Sequence, residues 1–336
     1  MTTTYALLTR ESSNRVYGRD AARLLVAELA AVAPHFSVEV SNIAIETLGG
    51  VDYVLFDAGE LNGLDCFFAS NLSGTRAFFA ADEGLLRPLS TTPLTMFAED
   101  IVTIQRYPGK TNEQFTHLLV NLATAASSSA HARVASGERV RLLDPVAGRG
   151  STLNRALMYG FDAYGVELNS GDVDQYRQFL STYLKTNRVK HKVTAERFRK
   201  GELAGDSAFD VDIGRGRQAV RMVNGETSRA RSYFRGRQMD VIVGDLPYGV
   251  HHGATTGRTL RRSPKELVES AVASWAALLS PGGAIGLSFN TKTLSPADVT
   301  SIFTHARLAP VDHPVDFTHT VDRSITRGLL VATKEV

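Results

Sequence analysis

The sequence predicts an α/β protein: a doubly wound, largely parallel sheet with helices on both faces, preceded by a smaller α/β unit. Strand-like and helix-like segments alternate from Arg139 onward, which is the pattern of such sheets. Turn residues such as glycine and proline separate these segments. A chain of 336 residues also exceeds the usual size of one hydrophobic core, so we expect two domains.

Residues 1–105 form the predicted N-terminal accessory unit. Short apolar segments at 3–8, 38–45 and 53–56 predict strands, and apolar residues recur at helical spacing over 20–32. We therefore expect a small α/β domain in this part of the chain.

Residues 106–130 form a predicted linker helix. A Pro-Gly pair interrupts the pattern, and Thr111 with Gln114 three positions later predicts a capping box. The helix should end just before the serine-rich stretch 127–131, which predicts a loop.

Residues 131–336 form the larger predicted domain. Ser263 followed by proline, with Glu266 three positions on, predicts a helix start. The stretch 185–217 interrupts the alternation, and its alternating polar and apolar residues predict an inserted strand or hairpin. The remaining elements are strands at 140–144, 163–167, 220–223, 240–244 and 284–290, and helices at 151–159, 172–186, 264–279 and 296–306.

The composition excludes several classes of protein. With 43% hydrophobic and 21% charged residues, the chain is neither disordered nor collagen-like. A single cysteine excludes an internal disulfide or a cysteine-rich zinc site, and no Cys or His cluster has metal-ligand spacing. No apolar run approaches the roughly 18 residues that span a bilayer, and the start does not resemble a signal peptide. We expect a cytoplasmic protein without a metal or a membrane partner.

Charge is divided unevenly along the chain. Residues 1–130 hold 8 basic and 14 acidic side chains, a net charge of −6, whereas 185–237 hold 14 basic and 6 acidic, a net charge of +8. A local positive excess attracts phosphate groups, so the second segment is the predicted nucleic-acid contact. The alternative is a solvated insertion whose charges serve only solubility. The candidate phosphate-binding residues are Lys185, Arg188, Lys190, Lys192, Arg197 and Arg199.

An acid and two glycines lie between a predicted strand and helix, in the run Asp144-Pro145-Val146-Ala147-Gly148-Arg149-Gly150. Glycines let backbone amides approach a ligand at the positive end of the helix. The run departs from the three-glycine dinucleotide fingerprint, and a carboxylate at the strand tip would repel a pyrophosphate. S-Adenosylmethionine carries an ammonium group and no phosphate, and Glu167 after the next strand could accept both ribose hydroxyls. We therefore expect this cofactor; the alternative is a structural turn.

A second predicted strand ends in the run Asp245-Leu246-Pro247-Tyr248-Gly249. Neighbouring strands of a doubly wound sheet open into one crevice, so this loop can face the glycine run. Asp245 and a carbonyl near Leu246 can accept hydrogen bonds from an exocyclic base amine and turn its lone pair toward a methyl sulfonium. Tyr248 can stack on the base, and Pro247 stiffens the loop. The alternative is an ordinary strand-ending turn.

Together, the runs at 144–150 and 245–249 resemble the class I S-adenosylmethionine-dependent methyltransferases that methylate amines. The chain is most similar to the putative RNA methylases, the tRNA guanosine-N2 methyltransferases that often carry a THUMP domain. Segments at 107–111 and 323–327 also resemble that family, so the resemblance covers about 105–334 and implies a Rossmann-like methyltransferase sheet. The acidic N-terminal region does not suit an RNA-gripping THUMP domain, so we expect a different accessory domain there.

The resemblance also implies residue roles and a reaction. The implied reaction is methyl transfer to an exocyclic base amine, and the family named above implies guanine N2 in tRNA as the target. Glu226 would lie against the adenine ring, unless it is only an exposed turn acid. A DNA amino-methyltransferase and a methyltransferase-like module that binds RNA without turnover are the alternatives. Asp245, Leu246, Pro247 and Tyr248 would hold the amine, and the cofactor would contact Thr111, Asp144, Pro145, Ala147, Gly148, Gly150, Glu167, Leu168, Glu226, Thr227 and Asp245.

Overall fold

A computed structural model of the chain describes residues 2–10, 15–82, 84–91, 95–214, 217–247, 263–313 and 315–336. Within these residues, no helix is both long enough and apolar enough to cross a membrane.

The N-terminal unit is a five-stranded antiparallel sheet with a long helix on one face. Helix α1 (Arg15–Val32) packs on strands of this sheet, and α2 (Gly63–Ser70) lies between its third and fourth strands in the chain. The sheet order is β2-β3-β1-β4-β5. This confirms the smaller α/β unit, although β4, β5 and α2 were not predicted. The strands are β1 (Thr3–Thr9), β2 (Val40–Leu48), β3 (Val51–Ala58), β4 (Thr75–Asp82) and β5 (Leu85–Pro88).

The second sheet has the order β13-β15-β12-β11-β6-β7-β10-β9-β8, with β14 paired to β15. Its five central strands, β12-β11-β6-β7-β10, are parallel, and β15 is antiparallel to β12. The predicted doubly wound sheet is therefore confirmed. The strands are β6 (Arg141–Asp144), β7 (Asp162–Glu167), β8 (His191–Arg197), β9 (Ser207–Ile213), β10 (Gln218–Asn224), β11 (Met239–Asp245), β12 (Leu279–Asn290), β13 (Leu308–Pro310), β14 (His319–Thr320) and β15 (Thr326–Lys334).

Helices cover both faces of this sheet because the central strands are buried on both sides. Leu142 of β6 packs with α4 to α7, whereas its neighbour Leu143 packs with α8 to α10 on the opposite face. The helices are α3 (Asp100–Thr103), α4 (Glu113–Ala126), α5 (Ser128–Ala135), α6 (Ser151–Met158), α7 (Ser170–Thr186), α8 (Ala230–Tyr233), α9 (Pro264–Leu278) and α10 (Pro296–His305).

Two predicted helix boundaries need correction, and one is confirmed. The side chain of Asn112 caps α4 by accepting the backbone N–H of Gln114 at 2.8 Å, so Thr111 is not the capping residue. The stretch predicted as a loop after α4 is helix α5, because the Ser127 hydroxyl provides a cap at its start. The capping box of Ser263 and Glu266 at the start of α9 is present as predicted.

Helix α4 lies between the two sheets, with both of its faces buried. Leu119 and Ala123 belong to the core of the large sheet, whereas Phe115 and Leu122 belong to the core of the N-terminal unit. The segment predicted as a linker helix thus joins two hydrophobic cores. Thr111, two residues before the start of α4, contacts Asp245 at the carboxyl end of β11.

The chain order of the strands reverses between β6 and β11. From β6 the chain proceeds outward on one side to β7 and β10, and then returns to form β11 on the other side. In a doubly wound sheet, such a reversal opens a crevice outside the carboxyl ends of the two strands. The candidate site is expected in this crevice.

Candidate functional site

Three carboxylates lie at the carboxyl ends of neighbouring strands. Asp144 ends β6, Glu167 ends β7 and Asp245 ends β11. Burial, together with the negative charges of Asp245 and Glu167, raises the pKa of Asp144 to about 7. Three acids at one edge of the sheet suit a cationic ligand better than a phosphate, because a phosphate would be repelled by their carboxylates.

The glycine run is fastened to the adjacent strand ends by backbone hydrogen bonds. The Val146 N–H donates to Asp144 Oδ1 at 2.9 Å, and the Gly148 N–H donates to Glu167 Oε2 at 2.9 Å. The Ala147 N–H donates to the Val166 carbonyl at 2.9 Å. These contacts connect the glycine run, β6 and β7 into one rigid rim of the crevice.

The two glycines of this run have different surroundings. Gly148 has a φ of +50°, and a Cβ atom there would have no neighbour within 4 Å. Gly150 has a φ of +78°, and a Cβ atom there would lie 2.4 Å from the ring of the buried Tyr176. Packing against α7 therefore requires glycine at 150, whereas Gly148 faces open space that a ligand can occupy.

Glu167 is oriented by two backbone amides. Its carboxylate accepts the N–H of Gly148 and, at 2.7 Å, the N–H of Asn169. Burial raises the pKa of Glu167. Because a carboxylate offers about four acceptor positions, these backbone amides leave part of its acceptor capacity for ribose hydroxyls. Leu168 follows, with 53% of its surface exposed, and supplies an apolar contact beside this acid.

Glu226 and Thr227 lie after the end of β10, next to β7. The Gly225 N–H donates to the Glu167 carbonyl at 3.0 Å, which brings Glu226 to the same edge of the sheet as Glu167. The Thr227 hydroxyl accepts a hydrogen bond from the Trp275 indole at 3.0 Å. Thr227 therefore connects this edge to α9.

Asp245 is held by side chains from three distant elements. Ser288 on β12 donates to its Oδ1 at 2.7 Å, and the Thr111 hydroxyl donates to its Oδ2. The guanidinium of Arg327 on β15 lies 3.8 Å from Oδ2. The structure thus places Thr111 against the predicted catalytic acid. Ser288 and Arg327 were not among the predicted site residues, although Arg327 ends one of the segments that carried the family resemblance.

The loop after β11 is described only at its start. The Leu246 side chain is buried, and its N–H donates to the Ser288 carbonyl at 2.9 Å. Pro247 is exposed. The predicted stacking residue Tyr248 lies outside the described residues.

The structure does not bring the six predicted phosphate-binding residues to one place. Arg197 on β8 pairs with Ser207 on β9, Ser207 pairs with Asn224 on β10, and Asn224 pairs with Glu167 on β7. Arg197 therefore lies at the same edge of the sheet as the carboxylates. Lys192 at the start of β8 is at the opposite edge. Because β8 runs parallel to β10, the residues at and just before its start, Lys190 and Lys192, lie away from the crevice. Lys185 and Arg188 lie between them and the body of α7, which begins after the carboxyl end of β7 and ends just before β8, so they lie away from the crevice as well.

Comparisons with known proteins identify no family. No family model matches the chain, and no curated protein matches it. The solved structures that it is similar to include a magnesium protoporphyrin IX methyltransferase from Synechocystis PCC 6803 with bound SAH. The TM-score is 0.38 at 13% identity, covering 68% of this chain and 90% of that chain.

Two further solved structures are similar to the same extent. An rRNA methylase from Streptococcus thermophilus has a TM-score of 0.36 at 11% identity, covering 59% of this chain and 88% of that chain. The 1,6-didemethyltoxoflavin-N1-methyltransferase from Burkholderia thailandensis has a TM-score of 0.36 at 15% identity, covering 62% and 76%. Similarity at this level does not assign a reaction, so the function has to be argued from the site.

Proposed function

We propose that the protein is an S-adenosylmethionine-dependent methyltransferase. The observation that carries this proposal is the set of three carboxylates at the ends of neighbouring strands, beside a glycine run whose Gly148 N–H binds Glu167 and whose Cβ position at 148 is open. A cofactor with an ammonium and a sulfonium group and no phosphate suits an edge of this charge. The position at the reversal of strand order is where such sheets bind ligands.

The residues divide into two groups around the bound cofactor. Glu167 would hold the ribose hydroxyls with its remaining acceptor positions, and Leu168 and Glu226 would lie against the adenine. Asp144, with Pro145 and Ala147, would hold the glycine run in the conformation that exposes Gly148. Gly150 and Thr227 support this side by packing against other elements, and Thr111 supports Asp245.

The target that we propose is an exocyclic base amine, guanine N2 in tRNA. The cofactor supplies a methyl group on a positively charged sulfur. Asp245 would accept a hydrogen bond from the amine and orient its lone pair for in-line attack on that methyl group. A carbon–nitrogen bond would form with the thioether sulfur as the leaving group, and the methylated amine would release its proton to water. Two hydroxyl donors and Arg327 hold the Asp245 carboxylate in one orientation. The Leu246 carbonyl, Pro247 and Tyr248 complete the proposed amine site.

A calorimetric titration with S-adenosylmethionine tests cofactor binding. Gly148→Val should abolish measurable binding, because the new side chain fills the space that the cofactor needs. Gly137→Val is the matched control, since Gly137 also has a positive φ and open space around its Cβ position, in the turn that follows α5. Absence of binding by the parent protein, or equal binding by the two variants, would contradict the proposal.

Mass spectrometry of tRNA nucleosides tests the target. A strain that lacks the gene should lose an N2-methylated guanosine, and the parent gene should restore it whereas the Asp245→Ala gene should not. An unchanged tRNA nucleoside profile together with altered methyladenine or methylcytosine in DNA would favour the DNA amino-methyltransferase instead.

A further inference from the structure

A cleft of about 530 Å³ lies outside the proposed cofactor site, between α7 and the segment 100–107. Its α7 residues extend from Gln175 to Asn187, which corresponds to about 18 Å at 1.5 Å per residue. We refer to this cleft as the α7 groove. At about 3.4 Å per stacked nucleotide, it can accommodate up to about five nucleotides.

One end of the α7 groove adjoins the crevice. Arg149, which separates the two glycines of the glycine run, lines the groove, and its guanidinium lies 4.7 Å from the centre of the Tyr107 ring. Tyr107 also lines the groove and is hydrogen bonded to Ser151 at 3.0 Å. A polymer bound along the α7 groove would therefore reach Arg149, the residue next to Gly148.

The other end of the groove reaches the basic residues that the sheet places far from the crevice. Thr186 and Asn187 line this end, and Lys185 and Arg188 adjoin them in the chain. Both of these basic residues are exposed. The α7 groove thus connects the crevice to the N-terminal half of the predicted phosphate-binding segment.

The chemistry of the lining suits unpaired bases. Gln105, Gln175 and Gln178 each offer amide donors and an acceptor, and Tyr107 and Phe179 offer aromatic surface. Among the described lining residues, Asp100 is the one acid, and it accepts a hydrogen bond from Tyr183 at 2.6 Å. A groove with aromatic rings, amides and basic ends is the arrangement that binds single-stranded nucleic acid.

We infer that the α7 groove binds a single-stranded part of the RNA substrate, adjacent to the nucleotide that enters the crevice. This inference rests on the proposed function and adds to it a second binding site. The backbone phosphates would lie toward Arg106 and Lys185, and the bases would lie against the amides and rings of the groove. A strand bound along the groove would let basic residues on the far edge of the sheet contact the same substrate.

The test compares two variants of helix α7 that change the net charge of the protein by the same amount, one inside the groove and one outside it. Gln178→Glu with Thr182→Glu adds two negative charges inside the groove, at exposed positions. Arg177→Glu changes the charge by the same amount on the same helix outside the groove lining. The probes are an RNA strand of about ten nucleotides and the matching duplex. Binding is titrated at several salt concentrations, with cofactor affinity and circular dichroism as controls for folding.

We expect the groove variant to bind the single strand roughly tenfold more weakly than the Arg177→Glu variant at low salt, with cofactor affinity unchanged. Equal affinities of the two variants for the single strand would overturn the inference while leaving the proposed function intact. An equal loss for strand and duplex would overturn the single-stranded assignment. If the parent protein binds the cofactor but neither RNA, the RNA substrate itself is wrong.

Discussion

The two sides of the crevice are held in place by different kinds of contact. On the proposed cofactor side, Asp144 and Glu167 accept backbone N–H groups from residues that are 2 to 19 positions away. On the amine side, Asp245 is held by side chains, including Ser288 at 43 positions and Thr111 at 134 positions. The proposed binding surface is therefore built from a short run of sequence, whereas the proposed catalytic carboxylate depends on the assembly of distant elements.

Substitution of the two glycines on the proposed cofactor side should have very different costs in stability. Gly150→Val should lower the free energy of unfolding by about 4 kcal/mol, because the side chain overlaps the Tyr176 ring and strains a left-handed backbone. Gly148→Val should cost only the backbone strain, about 1 to 3 kcal/mol. Urea unfolding of both variants measures the difference. Equal losses of stability would mean that Tyr176 does not determine the residue at 150.

The next effect concerns chemistry on the amine side. Asp245→Ala should reduce methylation by about a hundredfold or more while cofactor affinity stays close to that of the parent protein. Asp245→Asn should retain more activity, since its amide oxygen can still accept one hydrogen bond. Single-turnover rates and calorimetry provide the two measurements. Parental rates in the alanine variant would remove Asp245 from the proposed mechanism.

A smaller effect tests whether Thr111 acts through Asp245. Thr111→Val should lower the methylation rate by about tenfold, because the carboxylate loses a donor that orients it, and Thr111→Ser should restore the rate. In the Asp245→Ala background, Thr111→Val should have no further effect. If Thr111 instead contacts the cofactor, the valine variant should weaken cofactor binding in both backgrounds.

The smallest effect is the pH dependence of cofactor binding. The pKa of Asp144 is raised to about 7, so below pH 7 most molecules must release a proton before this acid can attract a cation. Affinity should rise about fivefold from pH 6 to pH 7, with proton release visible as a buffer-dependent heat. Asp144→Asn keeps the acceptor for the Val146 N–H and should flatten this profile. A profile that is unchanged in the asparagine variant would assign the proton to another group.

Prediction from the sequence was most successful where local pattern and burial agree. The central strands are buried on both faces, and their apolar runs and following turns identify them without tertiary information. Strand β4 was missed because its run, Thr-Arg-Ala-Phe-Phe-Ala-Ala-Asp, is rich in alanine, which does not favour strands. It forms a strand because it pairs with β1, from which it is separated by more than 60 residues.

The amino-acid pattern alone predicts the doubly wound sheet, the acid at the end of β6 with the glycines after it, and the acid at the end of β11, because each of these is a short run with its own local chemistry. Three features follow only from how the elements pack: which glycine faces open space, which hydroxyls hold Asp245, and how the basic residues divide between the two edges of the sheet. These depend on the positions of Tyr176, Thr111 and β8 in space. Sequence spacing does not encode such contacts, because they form only when separate elements pack together.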